Sequence, residues 1–571
     1  MSARIPGNDY GVLEPPAPGA WSPRMAVSVV IPARGGQDRL DLTLAALAAQ
    51  TYPAHLMEVV VVDDGSVPPL RVPELAPERT RIVRSPQGRR GIAGALETGT
   101  AAADGEVVHR MDADIVPYRE HVETHMRWHH LADYLVVLGR LRFTAAAGPL
   151  PTPAQVRRAV VEDGAHALFA EDPEHGHGWI DELVAAHRGF RDAPSPLLHR
   201  VHVGATVSLP AALLKEAGGM DTSLVLGEDT ELGYRLTQTG AVFVPDADAV
   251  CWHLGTTTAM RRPAEVRRHN EPFMADRVPY RRNLRSDPGR QWRVPYVEVV
   301  VDAADASFED VRASVDGALA STLSDVSVVL TGPWALLDAR PPGEDGHPPL
   351  DDPLLDLRLA RGQYAGDGRV RLAERVPATS FPAPFRLTCP AGWVPGAESL
   401  AMLVELADQD DEGLLLVALD EDETGVIAAR LERTSAVARA LRVAAEGESL
   451  DDVIADLYGA TWLDAESWRF RPAARAYPAW ATARNREAVR WRAEAEKRGR
   501  EAERARQQVA ALKAELRELR AQAAKGSRDT ARWKEKAEQR RLEAVTLRRE
   551  QDRSLLRRAT RRLRGLVEGQ R

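Results

Sequence analysis

A chain of 571 residues exceeds what one hydrophobic core serves, and at about 150 residues per domain it predicts three or four structural units. Hydrophobic residues at 44% and charged residues at 28% are globular values that exclude a disordered chain, and two cysteines exclude a disulfide framework, so Cys251 and Cys389 read as reduced, cytosolic thiols. The net charge of −8 divides unevenly: residues 484–571 hold 28 Lys and Arg against 14 Asp and Glu, a net +14 that leaves −22 on residues 1–483. A basic tail attracts anionic lipid, nucleic acid or acidic protein, whereas an acidic body repels the same polyanions.

Residues 1–25 are rich in Pro and Gly, lack the apolar core of a secretion signal, and are expected to form a disordered leader. No stretch reaches the roughly 18 uncharged apolar residues of a membrane span; the best, Val201 to Leu214, carries Pro210. A cytoplasmic protein is expected. From Val27 to Ile31 (VSVVI) the chain reads as a buried strand closed by Pro32, Leu40 to Ala49 as a helix, and Val59 to Val62 (VVVV) as a second buried strand. Strand, helix and strand with a short return imply parallel pairing. The turns Pro32-Ala33-Arg34 and Asp63-Asp64-Gly65-Ser66 then fall at the carboxyl edge of a doubly wound sheet, where ligands bind in such folds.

A further strand is expected at Glu106 to Arg110, followed by Met111-Asp112-Ala113-Asp114-Ile115-Val116-Pro117. A polar insert around 149–196 precedes the apolar run Val201 to Pro210, the helix opening at Gly227-Glu228-Asp229, and a last strand and turn at Ala247 to Gly255. Residues from 294 begin the same way again: VEVVV at 297–301, a helix, and VSVVL at 326–330. Laying Pro395 on Pro117 puts Pro390 and Gly392 where Asp112 and Asp114 stand, and Thr331-Gly332-Pro333 where Asp63-Asp64-Gly65 stands. The region is either an internal copy that lost its acids or an unrelated α/β domain. In the tail, apolar residues recur at 3,4 spacing from Ala488 to Ala523, which predicts a coiled coil or a helical hairpin broken at Gly526-Ser527.

Three carboxylate clusters, Asp63-Asp64, Asp112-x-Asp114 and Glu228-Asp229, mark strand ends or a helix start. Each alone is a weak signal, since an acid at a helix start is commonly a cap. A divalent cation needs hard oxygen ligands and open positions, and two carboxylates just past a buried strand offer both. Taken in order, VSVVIP, VVVVDDGS, GIAGALETGTAAADG, MDADIVP, GGMD and GEDTELGYRL resemble the inverting glycosyltransferases of family 2, and the part through AVCWH looks most like the chondroitin-polymerase and galactosyltransferase type.

The resemblance covers about residues 26–285 and implies a GT-A fold, a Rossmann-like, mostly parallel sheet. It implies a nucleotide-sugar donor bordered by Pro32, Ala33, Arg34, Asp63, Asp64, Arg90, Gly91 and Asp112. It further implies a metal, Mn2+ or Mg2+, on Asp114 and His253, a base at Asp229, and an orienting acid at Glu228. Arg89-Arg90 before the Gly-rich helix and Ile115 after the metal motif depart from the common pattern. Asp229 as a helix cap and His253 as a packed core residue are the bland alternatives. His121 and His125 in HVETH lack the order of a zincin and are expected on the surface; His175, His177 and Trp179 are expected in a loop near the acceptor.

The expected organisation is a leader at 1–25, a glycosyltransferase domain at 26–288, a second α/β domain at 289–482 and a basic helical tail at 483–571. The expected activity is transfer to a glycan or lipid-linked acceptor, in cell-envelope or surface polysaccharide synthesis. A partner-binding scaffold built on a glycosyltransferase-like domain, or a sugar nucleotidyltransferase, are the alternatives. The tail suggests self-association or peripheral contact with an anionic membrane at the inner face, against a solvated charged helix; nucleic acid is not expected, because no aromatic platform accompanies the charge.

Overall fold

The computed structural model describes residues 3–474 apart from 89–90, 145–148, 173–175, 286–289, 342–347 and 424, and in the tail 508, 511, 512, 515 and 536–547. The chain divides into compact units at Met1–Ala476 and Tyr477–Arg571. Residues 536–547 are helical, while the 3,4 seam of 488–523 and the basic run after 548 fall almost entirely outside the described residues. Among the described residues no helix is long and apolar enough to cross a membrane.

The first sheet is built from β1 (Val27–Ala33), β2 (Met57–Asp63), β3 (Thr80–Arg84), β4 (Val107–Met111), β5 (Ile115–Pro117), β6 (Leu135–Phe143), β7 (Thr206–Pro210) and β8 (Val242–His253). Their spatial order is β3-β2-β1-β4-β7-β6-β8-β5. β1 pairs in parallel with β2 and β4, and β7 runs antiparallel to both β4 and β6. Every residue of β2 is buried, as a run of four β-branched valines requires, because both sheet faces are covered. Helices α1 (Gln37–Leu47), α2 (Ile92–Ala102) and α3 (His121–His129) pack on them. α2 comes so close that a Cβ on Gly99 would stand 2.4 Å from Val30 Cγ1 and 2.7 Å from Val62 Cγ2, so only glycine permits the approach.

The second sheet contains β9 (Val297–Asp302), β10 (Val326–Thr331), β11 (Val370–Ala373), β12 (Phe385–Thr388), β14 (Leu414–Asp422), β15 (Gly425–Arg433) and β16 (Ala460–Asp464); β13 (Trp393–Pro395) pairs with β17 (Phe470–Pro472). Its order, β11-β10-β9-β12-β15-β14-β16, is that of the first seven strands of the first sheet with each number raised by eight; β13, the counterpart of β5, pairs with β17 instead. The directions match too: β12–β15 and β14–β15 are antiparallel and β14–β16 is parallel, as are their counterparts. The second α/β domain therefore repeats the topology of the first. β5 and β13 both end on the prolines that align the two sequences, Pro117 and Pro395.

The described part of the expected leader is folded. Ile5 is fully buried, Asn8 donates from Nδ2 to the carbonyls of Phe190 and Phe243 at 2.9 Å each, and its Oδ1 accepts from Phe243 N at 2.8 Å. Tyr10 meets the Trp128 ring edge-on at 5.7 Å. Composition missed this because three anchors suffice to order a Pro- and Gly-rich segment against an existing sheet. Ile5, Tyr10, Leu135, Val242, Leu414, Ala436 and Ile454 belong to one apolar cluster that joins the segment to both sheets. Arg439, fully buried, fastens the same seam by donating to the carbonyls of Ile5 (2.9 Å), Gly7 (3.0 Å), Ala241 (3.2 Å) and Gly240.

Candidate active site

The carboxyl edge of the first sheet gathers most of the expected residues. Pro32 and Ala33 end β1, and Arg34 after them is exposed. The turn after β2 divides its two acids. Asp63, buried, spends its oxygens on the backbone N–H groups of Ser66 (2.8 Å) and Leu70 (3.3 Å), which hold its carboxyl below the usual range against the upward push of burial. Asp64 accepts from Gly91 N at 3.0 Å through Oδ2, while its buried Oδ1 has no partner among the described residues. Asp63 thus shapes the turn, and Asp64 ties the turn to the start of α2 while keeping one oxygen free. Arg90 lies outside the described residues.

Beyond β4, Asp112 N donates to Ala205 O at 3.0 Å. Burial pushes the Asp112 carboxyl up, the Arg110 guanidinium pulls it down, and Asp114 pushes it up again. The pairing of β5 with β8 sets Ile115 opposite His253, which brings the His253 ring beside Asp114, with Nε2 3.7 Å from Asp114 Oδ1. His253 Nδ1 lies 2.9 Å from Gly255 O; a carbonyl only accepts, so Nδ1 carries a proton and Nε2 is the nitrogen turned to the carboxylate. Asp112, Asp114 and His253 each offer a ligand atom within 4.8 Å of the others. Two carboxylates and an imidazole suit a divalent cation. Arg39 flanks them, 3.4 Å from Asp114 Oδ2 and donating to Leu254 O at 2.9 Å.

Glu228 and Asp229 open the helix Glu228–Gln238, whose N-cap is Gly227 in the left-handed region at φ 77°. Asp229 is therefore in the first turn and not at the cap position. Its Oδ1 accepts from Thr230 N at 2.7 Å, its Oδ2 from Gly204 N at 3.2 Å, and its carbonyl accepts from His202 Nδ1 at 2.7 Å. Glu228 is buried; desolvation first, then repulsion from Asp229, raises its carboxyl to about 7 despite Arg110. Arg110, from β4, joins the groups: its Nη2 is 3.2 Å from Glu228 Oε1 and 3.9 Å from Asp112 Oδ1. Asp229 lies against Gly204 and Asp112 against Ala205, so the metal-type cluster and the helix start share one edge.

Nothing in the local pattern marks Arg110, because an arginine at the end of an apolar strand reads as its solvent side, whereas here it is buried between carboxylates. His177 is drawn inward, its ring 4.9 Å from Phe143, and burial lowers it to about 4. It also lines a cavity of about 270 Å³ with Ile180, Asp181, Val203 and Thr206, while Trp179 is exposed. His175 is outside the described residues. His121 and His125, expected on the surface, are buried, because every residue of α3 is enclosed, the histidines as well as Val122 and Met126, which join the apolar cluster of β1 and β4.

Residues 28–162 match glycosyl transferase family 2. The chain is similar to validoxylamine A glucosyltransferase of Streptomyces hygroscopicus subsp. limoneus, 30% identical over 251 residues that make up 39% of this chain and 50% of that protein. It is also similar to the pre-mycofactocin glycosyltransferase of Mycobacterium tuberculosis (strain CDC 1551 / Oshkosh), 26% identical over 41% of this chain and 43% of that protein. The chain thus spans about half the length of these curated relatives. Among solved structures, a mannosyltransferase from Pyrobaculum calidifontis in complex with GDP-Man and Mn2+ aligns over 44% of this chain and 65% of its own, at 18% identity and a TM-score of 0.29. Residues 28–162 are thus a glycosyl transferase family 2 domain, laid on the mixed, largely parallel first sheet.

Proposed function

We propose that this protein is an inverting glycosyltransferase that moves a sugar from a nucleotide-diphosphate sugar to a glycan or lipid-linked acceptor. The observation that carries the reading is the joining of Asp112, Asp114 and His253 to Glu228 and Asp229 through Arg110 at one sheet edge. Asp64, held in place by the turn that Asp63 shapes, takes the base, with Pro32, Ala33, Arg34, Arg90 and Gly91 bordering the nucleotide and Asp112 reaching the ribose. Asp114 and His253 would hold a divalent cation, Mn2+ or Mg2+, whose charge offsets that of the departing diphosphate. Asp229 takes the proton of the acceptor hydroxyl, and Glu228, positioned by Arg110, orients base or acceptor. Placing that base across the sugar carbon from the leaving group makes one displacement suffice, which inverts the anomeric centre.

A thermal-shift screen of nucleoside diphosphates with Mn2+ or Mg2+ tests the donor side, since a ligand specific to the native fold raises its melting temperature. One diphosphate with one ion should stabilise the wild type and the Asp229→Asn variant but not the Asp114→Ala variant. Both variants should fold and fail to transfer sugar; normal turnover by either ends this reading. The acceptor assignment includes cell-envelope or surface polysaccharide synthesis at the cytoplasmic face of the membrane, with the +14 tail mediating self-association or anionic-lipid contact. Flotation with anionic liposomes at low and high salt, with and without residues 484–571, tests the lipid contact; binding indifferent to the truncation refutes it.

A further inference from the structure

Behind the acidic edge lies a cluster that the proposed reaction does not use. His109 on β4 and His121 and His125 on α3 are fully buried, and one ring nitrogen of each lies within 4.8 Å of one of each of the others. Their ring centroids are 4.3, 4.8 and 5.4 Å apart. Three imidazoles around one zinc, with Zn–N of about 2.0–2.1 Å, place their centroids about 5 Å apart. The histidines on α3 stand four residues apart, the spacing that puts two ligands on one helix face.

The protons can be followed around the cluster. His121 Nδ1 is 3.1 Å from Val250 O and must donate to it, so its Nε2 carries the lone pair. Thr206 Oγ1, 2.9 Å away, donates to that lone pair and so accepts from His109 Nε2 at 3.0 Å. The lone pair of His109 therefore falls on Nδ1, which is buried without a partner. His125 fits the same form when Ser208 Oγ, 2.9 Å from its Nδ1 and 2.7 Å from His129 Nε2, accepts from both; its Nε2 is buried without a partner among the described residues. Among the described residues His109 Nδ1 and His125 Nε2 are thus left with lone pairs while their other nitrogens are hydrogen-bonded. The His121 Nε2 lone pair is held by the Thr206 hydroxyl, which must turn away for a metal while still accepting from His109 Nε2, an outer-shell wiring that orients histidine ligands. Burial keeps all three well below the ordinary histidine range, His121 at about 4, so they are neutral, the form that ligates.

The second sheet supplies an internal comparison. His109 aligns with Leu387, since Val107 and Phe385 occupy the same pairing position on β1 and β9, and Ser208 aligns with Leu431 across β4 and β12. Counting from Pro117 and Pro395, His125 falls on Leu403 and His129 on Ala407, both in the core of the helix Ser399–Asp410. Two of the three proposed ligand positions are thus aliphatic in the second sheet, while His121 falls on the buried Ser399, whose Oγ donates to Trp468 O at 2.7 Å.

From the convergent nitrogens, their outer partners and the apolar counterpart, we propose that His109, His121 and His125 form a structural site for a borderline divalent transition ion of the zinc type, pinning α3 to β4 and β7. Three imidazole nitrogens favour zinc over the hard Mg2+ or Mn2+ expected at Asp114.

The test uses the full-length Asp114→Ala chain, in which the acidic-edge cluster is disabled. After growth with zinc and dialysis it should retain one zinc per chain, its cobalt-substituted form should show the visible bands of a nitrogen-ligated, low-coordinate ion, and strong chelation should lower its melting temperature. Adding His109→Leu and His125→Leu, which copies the second sheet's residues, should abolish all three signals, while His129→Ala should leave them. Absence of both zinc and cobalt bands from the folded Asp114→Ala chain overturns the proposal whatever the leucine variant does, as does equal zinc in the leucine variant.

Discussion

Gly233→Ala separates local helix preference from packing at the proposed base. Gly233 is one turn beyond Asp229 on the helix Glu228–Gln238, so the two share a face. A Cβ built on Gly233 would stand 2.6 Å from His202 Cβ, 3.0 Å from His202 Cγ and 3.1 Å from His199 O. Helix propensity by itself predicts that alanine stabilises by about 1 kcal/mol. The contact predicts the reverse. A Cβ needs about 3.4 Å or more, so the helix must retreat by most of an ångström from a backbone-anchored neighbour, an overpacking cost of about 1–3 kcal/mol. His202, which holds the Asp229 carbonyl at 2.7 Å, is displaced with it. An error near 1 Å at a catalytic base costs up to about a hundredfold in rate. Urea unfolding should show a net loss of stability, and nucleoside diphosphate release with the donor found by the screen should fall at least tenfold in kcat. A raised melting temperature with unchanged kcat refutes the packing argument.

Arg110→Met leaves Glu228 buried without its cation and should destabilise by about 3–5 kcal/mol by urea unfolding; adding Glu228→Gln should restore part of that, and no restoration refutes the charge account. Arg439→Met strips four carbonyls of one buried donor and should cost about 3 kcal/mol or more in the same assay; a loss under 1 kcal/mol shows that the seam does not depend on it. His199, buried between Tyr234 and Tyr280 and facing Arg200, Arg281 and His202, is lowered to about 3. Because the unfolded chain takes up this proton first, stability is lost as pH falls below about 6.5, by about 1.4 kcal/mol between pH 7.5 and 5.5. His199→Phe should lose that much less than the wild type over the same interval, and an identical pH dependence refutes the assignment.

The sheet was legible because its central strands are runs of β-branched residues too dense for a half-exposed strand, and the acids stood out because each follows such a run. The second sheet was legible for the same reason, with Pro117 and Pro395 giving its register. What the sequence concealed is where polar groups point. HVETHMRWH holds too few aliphatic residues for periodicity to choose a face, so nothing marked His121 and His125 as interior. Asp63 and Asp64 look equivalent in VVVVDDGS, and only the turn geometry assigns one to the backbone. The anchoring of residues 3–25 depended on Asn8 meeting the backbone of Phe243, a pairing between positions too distant for local pattern to register.

The comparison of the two sheets shows what the acidic edge costs. In the first, Asp112 and Glu228 have carboxyls raised by burial and by their neighbours, a strained arrangement that Arg110 relieves only in part. In the second, Pro390 and Gly392 stand after β12 and Thr331-Gly332-Pro333 at the end of β10. Asp451, in the first turn of the helix before β16, is bound by Arg430 through both oxygens at 2.7 and 2.8 Å. The like charges have been replaced or neutralised while the strand order is kept. The apolar cluster from Leu135 and Val242 to Leu414 and Ile454 couples that sheet to the first. Substitutions in the shared seam should therefore reach the proposed active site through stability and leave its chemistry intact.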